Sequence, residues 1–232
     1  MTSDVVATPR IGTWLMLVHG AGLLERLAAV GLDFVRLDME HTPIDADDVA
    51  RLVDEARDLP IDICLRPASA RYRDLERALK TGARRLYVPQ IETAAAARSV
   101  VEAVDRILPT GERAHISVML ESAEAFRNRE GIAAVEGVDL IAMGPADLAQ
   151  DLGFYGQPDE NTLLDPYRYL LSDVAARHGK QWEMGVWTED AARHWAAEGC
   201  PVLTYMTDTS ALRACYAPVL AEMSALMRET GP

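Results

Sequence analysis

Short apolar runs, each closed by a turn signal, alternate with longer amphipathic stretches along this chain, and that alternation restricts its fold more than any other feature. The strand-like runs fall at 13–18, 34–38, 61–66, 84–89, 116–121, 139–144, 182–187 and 202–206, eight in all. Helix-like stretches lie between them at 22–30, 46–57, 71–81, 94–107, 124–135, 166–177 and 189–198, and 210–228 closes the chain. Gly31, Gly82, Gly137, Gly179 and Gly199 follow several of these stretches, where a left-handed C-terminal cap favours a residue without a Cβ. The connections are too short for a second domain. Eight strand and helix units in 232 residues fit one closed α/β domain, a (β/α)8 TIM barrel, better than an open doubly wound sheet.

Composition narrows the function classes. A chain with 49% hydrophobic and 25% charged residues buries a sizeable core. Its formal net charge of −13 argues against nucleic acid and anionic membrane surfaces, both of which need a basic face. No stretch approaches the roughly 18 apolar residues of a membrane span, and none near Met1 has the pattern of a signal peptide, so a cytoplasmic protein is expected. Cys64, Cys200 and Cys215 have no paired spacing and read as small core residues. No Gly-x-Gly-x-x-Gly, P-loop or Gly-x-Ser-x-Gly pattern occurs.

A parallel barrel gathers its chemistry at the C-terminal ends of the strands, so the polar residues there are the candidates. After the second strand come Asp38, Glu40 and His41, an acid/base cluster followed by Pro43, which prevents an immediate helix. The third strand delivers Arg66, which either pairs with a neighbouring helix or forks onto a carboxylate or enolate oxygen. The fifth strand stops at Glu121, and the sixth runs into Gly144, Pro145, Ala146 and Asp147. Carboxylates from two adjacent strand ends, completed by water and substrate oxygens, suit a hard divalent cation such as Mg²⁺ or Mn²⁺. Backbone N–H groups of the Gly-Pro-Ala-Asp turn would also receive a carboxylate. His19 follows the first strand at the same rim, and Trp187 ends the seventh, either as core or as cover for a ligand. His115, His178 and His194 are expected away from the rim.

In this order the residues resemble the HpcH/HpaI family of class II 2-oxo acid aldolases. The resemblance rests on Gly12-Thr13-Trp14-Leu15, Asp38 to Pro43, Arg66-Pro67, Val88-Pro89, Glu121 and the run Gly144 to Gly153. It implies a barrel of phosphoenolpyruvate/pyruvate-domain type that binds a 2-oxo acid and an aldehyde as small-molecule partners. Glu121 and Asp147 would hold a divalent metal ion (Mg²⁺, Mn²⁺ or Co²⁺), Arg66 would stabilise the enolate oxygen, and His41 would move protons with Asp38 and Glu40 nearby. It also implies a homo-oligomer, commonly a hexamer of domain-swapped dimers. The apolar C-terminal stretch with Tyr216, Val219, Leu220, Met223 and Leu226 would then pack on a partner, although packing on its own barrel suits the pattern equally. Two departures accompany the resemblance: the segment 107–111 is short where many relatives carry a long one that shapes the site, and Lys80 stands where relatives often place an aspartate supporting the histidine.

Overall fold

The computed structural model describes residues 9–17, 20 and 22–229. Its elements run β1 (Arg10–Leu15), α1 (Leu23–Ala29), β2 (Phe34–Asp38), α2 (Ala46–Ala56), β3 (Asp62–Arg66), α3 (Tyr72–Lys80), β4 (Arg85–Val88), α4 (Ala94–Ile107), β5 (His115–Leu120), α5 (Ala123–Arg127), α6 (Arg129–Ala133), β6 (Leu140–Met143), α7 (Pro145–Asp151), α8 (Glu160–Arg177), β7 (Gln181–Val186), α9 (Glu189–Ala197), β8 (Val202–Thr207) and α10 (Asp208–Glu229). Every strand pairs in parallel with its sequence neighbour, and β8 pairs with β1 to close the expected eight-stranded barrel. Among the described residues, no helix is long and apolar enough to cross a membrane.

Period-two alternation sorts the strand residues between two environments. Val35, Leu37, Leu65, Val88, Val118 and Ile141 pack outward in the large apolar cluster shared with the helices. Phe34, Cys64, Tyr87, Met119, Leu140, Ala142 and Val202 form a separate cluster inside the barrel. Gly12 makes room for that interior, because a Cβ there would stand 2.4 Å from the Phe34 ring.

Several boundaries differ from those read in the sequence. The first strand, read at 13–18, is β1 at Arg10–Leu15: its pairing with β2 ends at Leu15, the amides of Met16 and Leu17 turn aside to the Asp208 carboxylate, each at 2.9 Å, and Val18 lies outside the described residues. The stretch 124–135 breaks at Asn128 into α5 and α6. Pro166, read as a helix start, lies inside α8, which begins at Glu160. Cys64 and Cys200 are buried as expected, but Cys215 is exposed on α10. The reason lies in α10 itself, whose turns beyond Cys215 are not covered by this chain's barrel: Tyr216, Val219, Leu220, Met223 and Leu226 are each more than half exposed.

Candidate active site

The inward residues at the C-terminal ends of the strands enclose a cavity of about 220 Å³ that reaches into the barrel. His41, Arg66, Glu121, Gly144, Pro145, Ala146, Asp147 and Trp187 all border it. Met16, Met119, Met143 and Met206 supply apolar wall. His19 lies outside the described residues.

Parallel pairing of β2 with β3 sets Asp38 beside Arg66. The buried Asp38 carboxylate accepts from Arg66 Nε at 2.7 Å and Nη2 at 2.5 Å, and from the Glu40 amide at 2.9 Å. This fork fixes the guanidinium. Arg66 Nη1 also lies 3.3 Å from Glu40 Oε2, and the face of Trp14 sits 4.6 Å from Arg66 Cζ. Glu40 is held above the ordinary carboxylate range by burial, against the pull of Arg66 and His41. Its Oε2 stands 3.5 Å from Nε2 of the half-exposed His41. Asp38 therefore braces Arg66 from behind; Arg66 and His41 border the cavity, whereas Asp38 and Glu40, expected at the site, stand behind them.

Glu121 directly follows β5 with 6% of its surface exposed. Its Oε2 accepts from the Gln90 amide at 2.7 Å, while Oε1 is buried without a hydrogen-bond partner. Burial pushes its carboxyl up to about 7, with Asp147 and Glu40 adding to the rise, and the Gln90 amide and Arg66 opposing it. Gly144 is required here, because a Cβ at that position would meet Glu121 Oε1 at 2.2 Å. Beyond it Pro145 opens α7, its preset φ suiting the first helical position, and α7 carries the exposed Asp147 in its first turn. Among the described residues no group of three or more His, Cys, Asp or Glu side chains forms a metal cage. The donor set is thus two oxygen-bearing acids facing an open cavity. That fits a hard divalent ion completed by substrate and water better than a closed structural site.

Three features of the site were not read from the sequence. Gln90 follows β4 at φ 57°, an unusual conformation for a non-glycine residue, and bridges the two acids: its amide meets Glu121, and its Nε2 donates to Glu40 Oε1 at 2.8 Å. Trp14 lies between two guanidiniums, with Arg36 Cζ 4.7 Å from its ring on the deeper side of the barrel. Beneath it Arg36 and Glu183 form a buried pair at 2.8 and 2.6 Å, with Thr204 donating to Glu183 Oε1 at 2.7 Å and Tyr87 Oη to the same oxygen at 3.3 Å. A lone charged residue inside an apolar strand, as in Phe-Val-Arg-Leu-Asp, was the available signal.

Lys80, the link before the fifth strand, His115 and His178 all lie away from the cavity, as was expected of the two histidines. Lys80 ends α3 at the foot of the barrel, exposed and paired with Glu76 at 3.0 Å, so within this chain it does not stand behind His41. The short link 108–114 also runs at the foot, between the end of α4 and the start of β5, and not at the cavity. His115 starts β5 there too, its imidazole pulled below the ordinary histidine range by burial. His178 pairs with Glu130 at 3.0 Å. His194, expected away from the rim, borders a second cavity that shares Trp187 with the first.

Residues 10–210 match the family described as HpcH/HpaI aldolase/citrate lyase. The chain is 33% identical to the 2-dehydro-3,6-dideoxy-6-sulfogluconate aldolase of Pseudomonas putida over 72% of each chain. It is 30% identical to the 4-hydroxy-2-oxo-heptane-1,7-dioate aldolase of Salmonella typhimurium, covering 88% of this chain and 86% of that one. Among solved structures, an HpcH/HpaI aldolase/citrate lyase family protein from Burkholderia cenocepacia superposes with a TM-score of 0.82 at 28% identity, covering 94% of this chain and 95% of the other.

Proposed function

Since the chain belongs to the HpcH/HpaI aldolase/citrate lyase family and is a carbon–carbon lyase of aldolase type, we propose that it is a divalent-metal-dependent pyruvate aldolase. It splits a 4-hydroxy-2-oxo acid into pyruvate and an aldehyde, or joins them in reverse. The observation that carries this reading is the Glu121 carboxylate, buried with one oxygen unpartnered and bordering the same cavity as Asp147. A buried acid of this kind either keeps its proton or has a cation beside it. Glu121 and Asp147 would hold the ion, with Mg²⁺, Mn²⁺ and Co²⁺ as candidates. When bound, such an ion supplies Lewis-acid polarisation of the 2-oxo group.

The chain's own residues account for the remaining steps. Arg66 keeps N–H groups beyond those bonded to Asp38, and they donate to the 2-oxo oxygen as it gains enolate charge. His41 takes the proton of the 4-hydroxyl group, and Glu40 orients its ring. As the C3–C4 bond breaks, C4 becomes the aldehyde carbonyl and the bonding electrons pass to C3. Reprotonation of C3 makes the pyruvate methyl group. The turn from Gly144 to Asp147 borders the substrate carboxylate, and Trp187 covers the opening. The exposed apolar residues of α10 support a homo-oligomer in which this helix packs on a second copy.

The named relatives act on substrates whose far ends carry a sulfonate or a second carboxylate, and that feature is not transferred here. Proton exchange at the pyruvate methyl group in D₂O, followed by NMR, tests the reading. Exchange is expected with Mg²⁺, Mn²⁺ or Co²⁺ and should stop on chelation; its absence with every ion would overturn the proposal. Aldehyde appearing together with the 2-oxo acid identifies cleavage rather than decarboxylation.

A further inference from the structure

A second cavity, of about 410 Å³, opens between α8 and α9 immediately beside the first. Gly185 and Trp187 border both. Trp187 is the partition: its indole is 46% exposed and lies over Gly185, where a Cβ would meet the ring at 3.3 Å. The second cavity is lined by hydrogen-bonding groups, among them Asn161, Asp165, Arg168, Tyr169, Asp190 and His194. Tyr169 Oη and His194 Nε2 lie 3.3 Å apart.

The charges there are unevenly matched. Arg66 and Arg168 are the cationic arginines among the described residues lining the two cavities, and no lysine lines either. Arg66 is forked onto Asp38, and Arg168 donates to Asp165 at 2.6 Å and to the Asn161 carbonyl at 2.7 Å. Glu121, Asp147 and Asp190 are left as surplus acids, of which Glu121 and Asp147 are assigned above to the ion. An anionic tail entering this space would shed water without gaining a free cation, and would meet the Asp190 carboxylate. A hydroxylated tail faces no such penalty, since its O–H groups donate to carboxylates and its oxygens accept from amide and phenol donors.

We propose that the cavity between α8 and α9 is the tail subsite for the aldehyde half of the substrate, and that it takes an uncharged, hydroxyl-bearing chain rather than one ending in carboxylate or sulfonate. The proposal rests on the aldolase reading and adds an acceptor class to it. The aldehyde carbon lies in the first cavity, and the chain behind it passes Trp187 into the second.

The test uses the full-length, metal-loaded protein with pyruvate and two four-carbon acceptors, 3,4-dihydroxybutanal and succinic semialdehyde, with glycolaldehyde as a reference too short to reach the second cavity. The dihydroxy aldehyde is expected to lead in kcat/KM by on the order of tenfold or more, the size of effect that unpaired polar groups and like charges produce. Asp190→Lys, at an exposed position in the first turn of α9, should shift that ratio toward succinic semialdehyde by about tenfold, and Asp190→Asn by a smaller factor in the same direction. Equal use of both four-carbon acceptors by the wild type, or a ratio untouched by both variants, would overturn the subsite. Methyl-proton exchange without aldehyde separates the two levels. Exchange without acceptor discrimination overturns the subsite alone, while no exchange with any ion removes the aldolase reading and the subsite with it.

Discussion

Two polar clusters are stacked inside one barrel, and they are finished differently. In the deeper one, Glu183 accepts from both Arg36 Nη atoms, from Thr204 and from Tyr87, and the Arg36 guanidinium lies 3.7 Å from the Tyr87 ring. In the upper one, Glu121 Oε1 and Glu40 Oε2 are buried without hydrogen-bond partners, although Asp38 there accepts the Arg66 fork and the Glu40 amide. The clusters share strands: Arg36 and Asp38 lie two positions apart on β2, and Trp14 on β1 contacts the guanidinium of each layer. The deeper layer matches its carboxylate to its guanidinium, and Arg36 Nε is its one buried polar atom without a hydrogen-bond partner among the described residues. The upper layer is open, its acids outnumbering its cations, which is the condition for receiving a cation and a substrate. Proximity within one fold therefore does not make two buried ion pairs equivalent; the surplus of carboxylates over cations separates site from structure.

The contrast breaks most visibly at the rim. Asp147→Asn and Glu121→Gln should each lower kcat/KM by about a thousandfold or more, since each removes stabilisation of developing negative charge. The fold should survive, as circular dichroism and denaturant midpoints would show. Activity within tenfold of wild type in either variant would contradict the assignment of the open layer.

The deeper layer should respond in stability. Glu183→Gln leaves Arg36 buried opposite a neutral partner and is expected to cost about 3–5 kcal/mol of unfolding free energy. Replacing both partners, Arg36→Met with Glu183→Leu, should recover most of that loss, because no charge is then stranded. Urea unfolding of the single and double variants measures the difference. A double variant as unstable as the single would mean that the pair itself, rather than the stranded charge, holds the floor together.

A finer distinction is set by pH. In the metal-free protein Glu121 holds its proton up to about 7, whereas the unfolded chain releases it near 4.5. Between those values the folded state binds the extra proton, so this group's contribution to stability falls as pH rises, by on the order of 3 kcal/mol in total. The stability difference between wild type and Glu121→Gln should therefore move in favour of the variant from pH 4.5 to 8, and added Mg²⁺ or Mn²⁺ should offset the shift only in the wild type. A difference that stays flat with pH would remove the unmatched acid from the account.

The barrel was legible because its signal is local and repeated: each strand and helix announces itself by period, and their number favours a closed barrel over an open sheet, while closure itself is seen only in the pairing of β8 with β1. The rim residues were legible for a related reason, since Asp38, Arg66, Glu121 and Asp147 each stand at or just beyond a strand end. What the chain concealed depends on distance or on backbone torsion. Arg36 and Glu183 are 147 residues apart, and neither neighbourhood shows that the other exists. Gly144 reads as part of a turn until the Glu121 carboxylate is found against it. The cavity between α8 and α9 is made by helices whose sequences show only amphipathicity, so His194 reads as a solvated helix residue. At Met16 and Leu17 the apolar run outlasts the pairing, because a distant carboxylate, Asp208, takes the amides that would have continued the strand.

Gln90 illustrates how the upper layer constrains what this protein can become. Its left-handed backbone stores strain of about 1 kcal/mol or more, which glycine would release. Glycine would keep the amide that meets Glu121 but lose the side chain that holds Glu40. Selection for heat resistance alone would thus favour a replacement that selection for turnover would resist, and a screen that ranks variants only by melting temperature would degrade the site while improving the molecule.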